Sequence, residues 1–467
     1  MDSKTTEGAG GLQPPQEITA GDGAPRGRQD GGRAAVGYGA APGMGMDTGM
    51  GRGGGVAPVS LKNLRTFASF KSRNFRLYYG SMLGQMAAMN MEMIARSYLI
   101  YQITHSATIL GVMALASSIP MLFLSLYGGV MADRVQKKYL LLIGQVGSAA
   151  VALFIALVLV VGWLSPAHPN SWWILIGVSL VKGSIQGFMM PSRSAIIPEL
   201  VSRDQIMNAV ALNNFGQNFL RIIAPLPAGI FIDLWGFETI YFFMTGLYLV
   251  ATVFVVLMPL TGTISIRGSG ALSDMKEGFQ YVRRDTTVLM LLVFTLFIVL
   301  CSMPYMQLLP VFAVDVLKGN ATTMGILMMF AGFGAIVGSL VLASLPNKKR
   351  GAILLFSSFV LGLALVGFAF SKSWYLSLAL VTFVGLGQTG RMTLSNALLQ
   401  SYSQEQYLGR VMSVYMMEFG LTSFSAFFAG VLADGVGIQW SIGGLAAIMV
   451  ALVVLVTAFS PRMRRLD

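Results

Sequence analysis

The apolar segments that follow one another from Phe75 onward limit the fold of this chain more than any other feature. Each is long enough to cross about 30 Å of hydrocarbon as a helix, which takes about 20 residues. Lipid offers the backbone no hydrogen bonds, so such segments must be helical. We therefore predict an all-α polytopic membrane protein. Its transmembrane helices, about twelve in number, are placed at 76–102, 107–131, 138–163, 172–192, 208–232, 238–260, 287–313, 322–345, 351–370, 374–397, 408–433 and 438–460.

The composition excludes a soluble globular protein of this length. The 467 residues are 55% hydrophobic and 11% charged, with a mean hydropathy of +0.68. A soluble chain carries about twice that share of charged residues. The net charge is +12, but the basic residues stand in short clusters between apolar segments. This distribution suits loops that face a lipid bilayer and argues against nucleic acid as a partner.

The basic clusters also predict the orientation of the chain, because lysine and arginine near helix ends stay on the cytoplasmic side. If the predicted helices alternate across the bilayer, only Lys318 and Lys372 fall on the opposite side. The clusters on the cytoplasmic side include Lys62, Arg65, Lys71, Arg73, Arg76, Arg134, Lys137, Lys138, Lys348, Lys349, Arg350, Arg462, Arg464 and Arg465. We therefore expect a multi-pass protein of the cell membrane with both termini in the cytoplasm. We expect it to be a monomer.

Two similar segments, 228–233 and 429–434, close the predicted fifth and eleventh helices. A repeat of this kind predicts two pseudo-symmetric six-helix bundles, related by an axis along the membrane normal. The predicted organisation is a disordered cytoplasmic arm (1–60), an N-terminal bundle (61–260), a cytoplasmic linker (261–286), a C-terminal bundle (287–460) and a cytoplasmic tail (461–467).

Residues 129–138, Gly-Val-Met-Ala-Asp-Arg-Val-Gln-Lys-Lys, join the second predicted helix to the third. Glycine at a helix end allows close backbone contact, and the charges that follow it lie where the bilayer meets water. We predict that this turn latches helix ends together during a conformational change. The latch residues are Gly129, Asp133, Arg134, Lys137 and Lys138.

The same ten residues resemble the loop signature Gly-x-x-x-Asp-Arg-x-Gly-Arg-Arg of the major facilitator superfamily, with Gln136 at the glycine position. Residues 224–229, Ala-Pro-Leu-Pro-Ala-Gly, are similar to its Gly-Pro-x-x-Gly-Gly signature, which is associated with export. Alanine replaces two of its glycines, and Pro225 and Gly229 are retained. Residues 75–460 resemble most closely the branch of macrolide-efflux proteins and the enterobactin exporter. This resemblance implies a two-bundle transporter that works as an antiporter.

Ionisable side chains inside apolar helices are costly, so each needs a partner or a wet cavity. We predict that Glu92 and Glu418 bind and release protons as the cavity opens to either side. Glu92 and Arg96 are four residues apart, lie on one helix face and are able to pair. The candidates for the substrate cavity are Arg96, Lys182, Gln186, Asn214, Gln217, Arg221, Gln388 and Arg391. Alternatively, the charged residues form static ion pairs, or extend from helix ends towards the lipid headgroups.

The sequence contains no phosphate-binding loop of the form G-x-x-x-x-G-K-[ST], so an ion gradient is the expected energy source. Cys301 is the only cysteine, and His105 and His168 lie in separate predicted loops, so we expect neither a metal nor another cofactor, and no enzymatic activity. We predict proton-coupled efflux of amphipathic small molecules, either drugs or siderophore-like metabolites. The alternatives are an importer of a small solute, a lipid flippase and a scaffold that does not transport.

Overall fold

The computed structural model describes residues 65–165, 167–260, 280–346 and 348–467. The predicted arm (1–60) and most of the predicted linker (261–286) lie outside these residues. The described part of the chain is mainly helical and contains no β-strand. The long helices are α1 (Arg73–Thr104), α2 (Ala107–Arg134), α3 (Lys137–Val160), α4 (Trp172–Leu200), α5 (Ile206–Ile223), α6 (Pro225–Leu257), α7 (Thr286–Ser302), α8 (Ala321–Ser344), α9 (Arg350–Phe370), α10 (Trp374–Tyr402), α11 (Leu408–Val436) and α12 (Ile438–Phe459).

Several of these helices begin at a side chain that caps the free amides of the first turn. Ser72 accepts from the amide of the third residue of α1, and Ser106 does the same for α2. Asp285 accepts from two amides of α7, and Asn320 forms a capping box at the start of α8. Each cap satisfies donors that would otherwise be unpaired, which fixes the start of the helix after a short connection.

The region of the fifth and sixth predicted helices is divided differently from the hydropathy prediction. α5 stops at Ile223, and Pro225 begins α6 at a bend, since proline has no amide hydrogen to continue the ladder. Within α6, Gly236 has φ 82° and ψ 174°, so the chain reverses there. The first part of α6 therefore completes the fifth predicted helix, and the part after Gly236 is the sixth.

Nine helical stretches in the described residues are long and apolar enough to cross a membrane. One of them, Arg203–Leu257, has 55 residues and contains the reversal at Gly236, so it is long enough for two crossings. α1 and α10 are not among the nine because polar residues, including Glu92 and Arg391, lower their hydropathy. The helical fold class is confirmed, and the number twelve stays a prediction.

The helices pack as two similar halves, α1–α6 and α7–α12. In the first half α2 packs against α4, as α8 packs against α10 in the second, while α2 with α11 and α6 with α8 join the halves. Glycines make these crossings close: Gly183 of α4 lies against the carbonyl of Ser117, and Gly385 of α10 lies against that of Ala331. Small residues at crossings are typical of helices that pack within a membrane.

The helices alternate in direction, which gives the molecule two distinct ends. We call the end that carries the start of α1 and the end of α12 the terminus end. We call the opposite end, where α1 ends and α2 begins, the clasp end, after the contacts described below. Large apolar side chains such as Phe154, Val250 and Phe459 are exposed on the outer faces of the helices, as expected of a surface that lipid covers.

Candidate functional site

A complete ion pair lies inside the first half. Lys182 Nζ of α4 is 2.7 Å from Glu92 Oε2 of α1, and the Tyr248 hydroxyl of α6 donates to the same oxygen at 3.0 Å. The Lys182 ammonium also lies 4.5 Å from the centre of the Tyr248 ring. Glu92 is 6% exposed and Lys182 is 7% exposed. In this first-half cluster (Glu92, Lys182, Tyr248), a cation and a hydroxyl both hold one carboxylate.

Glu92 pairs with Lys182 and not with Arg96, although the spacing of Glu92 and Arg96 would allow them to pair. Among the described residues, no ion pair within 4 Å joins them, because the Glu92 carboxylate is paired with Lys182 of the neighbouring helix. Arg96 Nη1 donates to Ser179 Oγ at 3.4 Å, and its buried Nε has no hydrogen-bond partner. The spacing placed Glu92 and Arg96 on one face, but it could not show that α4 brings a second cation to that face.

The corresponding region of the second half is satisfied less completely. Thr295 Oγ1 of α7 donates to Glu418 Oε1 of α11 at 2.6 Å. Arg391 of α10 is 1% exposed and interacts with Tyr415 and Glu418, but it forms no ion pair within 4 Å among the described residues. One turn further along α10, the Ser395 hydroxyl is buried without a hydrogen-bond partner. We call Thr295, Arg391, Tyr415 and Glu418 the second-half cluster.

Two glutamines occupy related positions in the two halves. Gln186 Nε2 of α4 donates to the sulfur of Met89 at 2.9 Å, and Gln388 Nε2 of α10 lies 3.7 Å from the sulfur of Met303. Each pair joins a polar amide to a polarizable apolar group, a combination that adapts to ligands of mixed character. Their predicted role in a substrate cavity stays a prediction.

The three candidates on α5 lie on its less buried side. Asn214 and Arg221 are exposed, and Gln217 is partly buried. Arg221 interacts electrostatically with Tyr305, which lies just after α7, so it faces the second half. α5 thus carries a polar face beside the interface between the halves, and its contact with substrate stays a prediction.

The predicted latch is described only in part. Gly129, Asp133 and Arg134 are in the last turns of α2, and their side chains lie outside what the structure describes. Lys137 is 2.5 Å from Glu199 at the end of α4, and Lys138 Nζ donates to the carbonyls of Val256 and Met258. These two lysines tie the start of α3 to α4 and α6 within the first half. A latch between the halves stays a prediction.

At the clasp end, two carboxylates each hold the start of a helix in the opposite half, and sequence reasoning missed them. Asp434, near the end of α11, accepts from the amides of Ala107 and Thr108 at 2.8 and 2.9 Å and from Ser106 Oγ at 2.6 Å. A carboxylate is favourable at a helix N-terminus because it satisfies free amides and meets the positive end of the helix dipole. We call this contact the Asp434 clasp.

The Asp233 clasp is the related contact on the other side of the molecule. Asp233 of α6 accepts from the amides of Ala321 and Thr322, the first residues of α8, at 3.2 and 2.7 Å. The signal was present in the sequence, because both repeated segments, 228–233 and 429–434, end in aspartate. What the sequence did not contain was the partner, a helix start in the opposite half.

Glycine makes both clasps possible. A Cβ on Gly430 would lie 3.1 Å from Thr108 Cα, and one on Gly229 would lie 2.7 Å from Thr322 Cα. Gly325 of α8 lies in turn against the carbonyl of Pro225. The export-like motif residues Pro225 and Gly229 therefore lie at the crossing of α6 and α8, where the halves meet. Among the described residues, no group of three or more His, Cys, Asp or Glu side chains could hold a metal ion.

Comparison with known proteins identifies relatives over nearly all of the described chain. A family model described as transmembrane secretion effector matches residues 64–467. The chain is 26% identical over 388 residues to the staphyloferrin A transporter of Staphylococcus aureus, which covers 82% of this chain and 94% of the relative. It is 22% identical over 409 residues to macrolide efflux protein A of Streptococcus pyogenes, which covers 85% and 99%. A crystal structure of the peptide transporter POT has the same fold, with a TM-score of 0.67 at 13% identity over 85% of this chain and 96% of that chain.

Proposed function

Because this chain belongs to the transmembrane secretion effector family of major facilitator transporters, we propose that it exports amphipathic small molecules in exchange for protons by alternating access. Membership confirms the family resemblance that the sequence motifs indicated. The protein is a multi-pass membrane transporter and not an enzyme. Proton coupling, the residues that carry it and the substrate class are the content of the proposal.

Alternating access is supported by the place of the two clasps. Each carboxylate belongs to one half and holds the start of a helix in the other half. Both clasps lie at the same end, so separating the halves there requires both to open. When the clasps open, water replaces the partners of the freed amides and carboxylates. The free energy of opening is therefore only the small net cost of exchanging a few hydrogen bonds. A contact of this strength suits an end that opens and closes in each cycle.

The observation that carries proton coupling is the hydrogen bond from Thr295 to Glu418. A hydroxyl donates to a carboxylate and accepts from a protonated carboxyl group, so Thr295 suits both states of Glu418. The Lys182 ammonium can only donate, so it favours the ionised state of Glu92. We therefore assign the proton-carrying role to Glu418, and to Glu92 a mainly structural role in a buried ion pair.

The substrate class follows from the character of the candidate cavity residues. The Gln186 and Gln388 amides beside methionine sulfur offer hydrogen bonds next to apolar, adaptable surface. One relative is named for macrolide efflux and another for staphyloferrin A transport. These names support the export of drug-like or siderophore-like molecules by this chain.

We further propose that the protein is a monomer in the cell membrane with both termini in the cytoplasm. The basic residues at the terminus end, such as Lys71, Arg350 and Arg464, support this orientation. The clasp end then faces the outside, and the clasps close the exit path in the conformation described here.

The test is an efflux assay in cells that lack their own pumps, with a panel of macrolides, siderophores and cationic dyes, with and without a protonophore. We expect at least one panel member to be extruded, extrusion to stop when the protonophore collapses the gradient, and Glu418→Gln to have the same effect at normal protein level. Glu405→Gln is the matched control, because Glu405 is exposed at the terminus end.

Other outcomes would contradict the proposal and identify a rival. Inward movement of solute in vesicles indicates an importer, and movement of labelled lipid indicates a flippase. Efflux that continues unchanged with the protonophore rejects proton coupling, and a panel without any substrate favours the scaffold.

A further inference from the structure

A cavity of about 610 Å³ lies at the clasp end, and both halves contribute to its wall. Tyr101 and His105 at the end of α1 come from the first half. Asp315, Lys318 and Trp440 come from the second half, as does Asp434, whose clasp borders the cavity. Pockets for drug-sized ligands have volumes of about 300–1,000 Å³. The cavity thus has room for one small organic molecule between the halves.

The cavity wall contains two carboxylates, Asp315 and Asp434, and two ammonium groups, Lys318 and Lys372. Tyr101 donates a hydrogen bond to Asp315 at 2.5 Å, and Asp434 is held by the start of α2, so both carboxylates already have hydrogen-bond donors. Lys318 and Lys372 are exposed and belong to no ion pair among the described residues. A ligand entering the cavity therefore meets two ammonium groups that are free to donate hydrogen bonds to it.

The apolar part of the cavity wall includes an exposed aromatic side chain, Trp440. Trp440 is 66% exposed, and its ring packs edge to face on Phe370 with centroids 5.2 Å apart. This contact orients the indole while leaving most of it open. Indole rings bind the flat or apolar body of a ligand without losing much side-chain freedom.

The backbone of the cavity wall is unusual at two of these positions. His105 has φ 48° and Lys318 has φ 52°, and they are two of the three residues other than glycine with positive φ in the described part. A residue with a Cβ is strained in this left-handed region of the backbone, and strained residues of this kind concentrate at functional sites.

We propose that this clasp-end cavity binds an amphipathic organic anion, with the anionic group on Lys318 and Lys372 and the apolar body on Trp440. Because the wall includes both halves and adjoins the Asp434 clasp, the bound anion also stabilises the closed state of this end. The inference goes beyond the proposed function, since it requires neither proton coupling nor the candidate substrate-cavity residues. Anionic lipid headgroups share this chemistry.

The test uses the purified full chain in nanodiscs of phosphatidylcholine, and measures equilibrium binding of 2-naphthoate, with neutral 2-naphthamide as the ligand control. We expect the naphthoate to bind at least about fivefold more tightly than the amide, because only the carboxylate is attracted by the two exposed ammonium groups. In the double variant Lys318→Gln/Lys372→Gln this difference should disappear. The double variant Lys71→Gln/Lys348→Gln, which changes two exposed lysines at the terminus end, should behave as the wild type.

Spin labels report on the second part of the proposal. Cys301 is the only cysteine, so Cys301→Ser removes the background, and Val161→Cys with Tyr375→Cys places labels on exposed positions of the two halves at the clasp end. Naphthoate should raise the population with the shorter distance, and should fail to do so in the Lys318→Gln/Lys372→Gln variant.

Either of two results would overturn the proposal: equal affinity for naphthoate and naphthamide, or unchanged naphthoate affinity in the Lys318→Gln/Lys372→Gln variant. Added phosphatidylglycerol distinguishes the sources of the anion. If it competes with naphthoate in the wild type, a lipid headgroup occupies the same cationic site; if it does not, the site is selective for a soluble anion. No gradient is present, so loss of binding leaves proton-coupled export standing, and loss of transport leaves this site standing.

Discussion

The two buried charge clusters occupy comparable places in the two halves, but they are satisfied in different ways. In the first-half cluster, Lys182 and Tyr248 both hold the Glu92 carboxylate. In the second-half cluster, Glu418 has Thr295 as its hydrogen-bond donor, and Arg391 forms no ion pair within 4 Å among the described residues. One half contains a closed ion pair, and the other contains a carboxyl group and a cation that are held apart.

This difference indicates which buried ionisable groups can change their protonation state during transport. An ion pair in a low dielectric is lost only at high cost, so the first-half cluster favours a single state. A carboxyl group bonded to a hydroxyl can gain or lose a proton without losing its partner. Arg391 forms no close ion pair among the described residues, so it is not tied to one state of Glu418. We therefore propose that the related halves of this transporter divide the work between a fixed cluster and a variable one.

The largest effect should come from removing the cation of the fixed cluster. Lys182→Met leaves the buried Glu92 carboxylate without its charge partner, which costs about 3–5 kcal/mol of stability. Arg391→Met removes a cation of similar burial that forms no ion pair within 4 Å among the described residues, so its effect should be less than about 1 kcal/mol or stabilising. Thermal unfolding of the two purified variants in detergent measures the contrast. Equal destabilisation by both would remove the distinction between the clusters.

The two clasps allow a second comparison between the halves, for which we expect a smaller effect. Asp434→Ala removes the acceptor of two amides and one hydroxyl, and should favour the open clasp end by about 1–2 kcal/mol. Asp233→Ala removes the acceptor of two amides and should have a smaller effect. Distances between spin labels on exposed positions such as Val161 and Tyr375 report the populations. A larger shift for Asp233→Ala would show that hydrogen-bond number does not rank the clasps.

The smallest predicted effect concerns the hydroxyl of the variable cluster. Thr295→Val keeps the shape of the side chain but removes the donor to Glu418, which changes the balance between its two states by about 1 kcal/mol. We expect the rate of gradient-driven efflux to fall by about fivefold, a factor that corresponds to this free energy. Thr295→Ser keeps a hydroxyl and should retain most of the activity. If valine and serine behaved alike, the hydroxyl would have no part in coupling.

The sequence predicted those features that depend on one helix at a time. Hydropathy located the long helices, because it is a property of a single segment. The sequence did not single out the partner of Glu92, since the choice between Arg96 and Lys182 depends on how α4 lies against α1. The clasps were missed for the same reason. Asp233 and Asp434 were visible as a repeat, but the helix starts that they hold belong to the opposite half.

The most direct test of the central claim measures coupling in proteoliposomes with a substrate identified by the efflux panel. With an imposed pH gradient, the wild type should accumulate substrate, and Glu418→Gln should lose accumulation while still exchanging labelled for unlabelled substrate without a gradient. Glu92→Gln, corrected for the amount of folded protein, should retain gradient-driven accumulation. Undiminished accumulation by Glu418→Gln, or its loss in Glu92→Gln alone, would contradict the assignment of proton coupling to the second half.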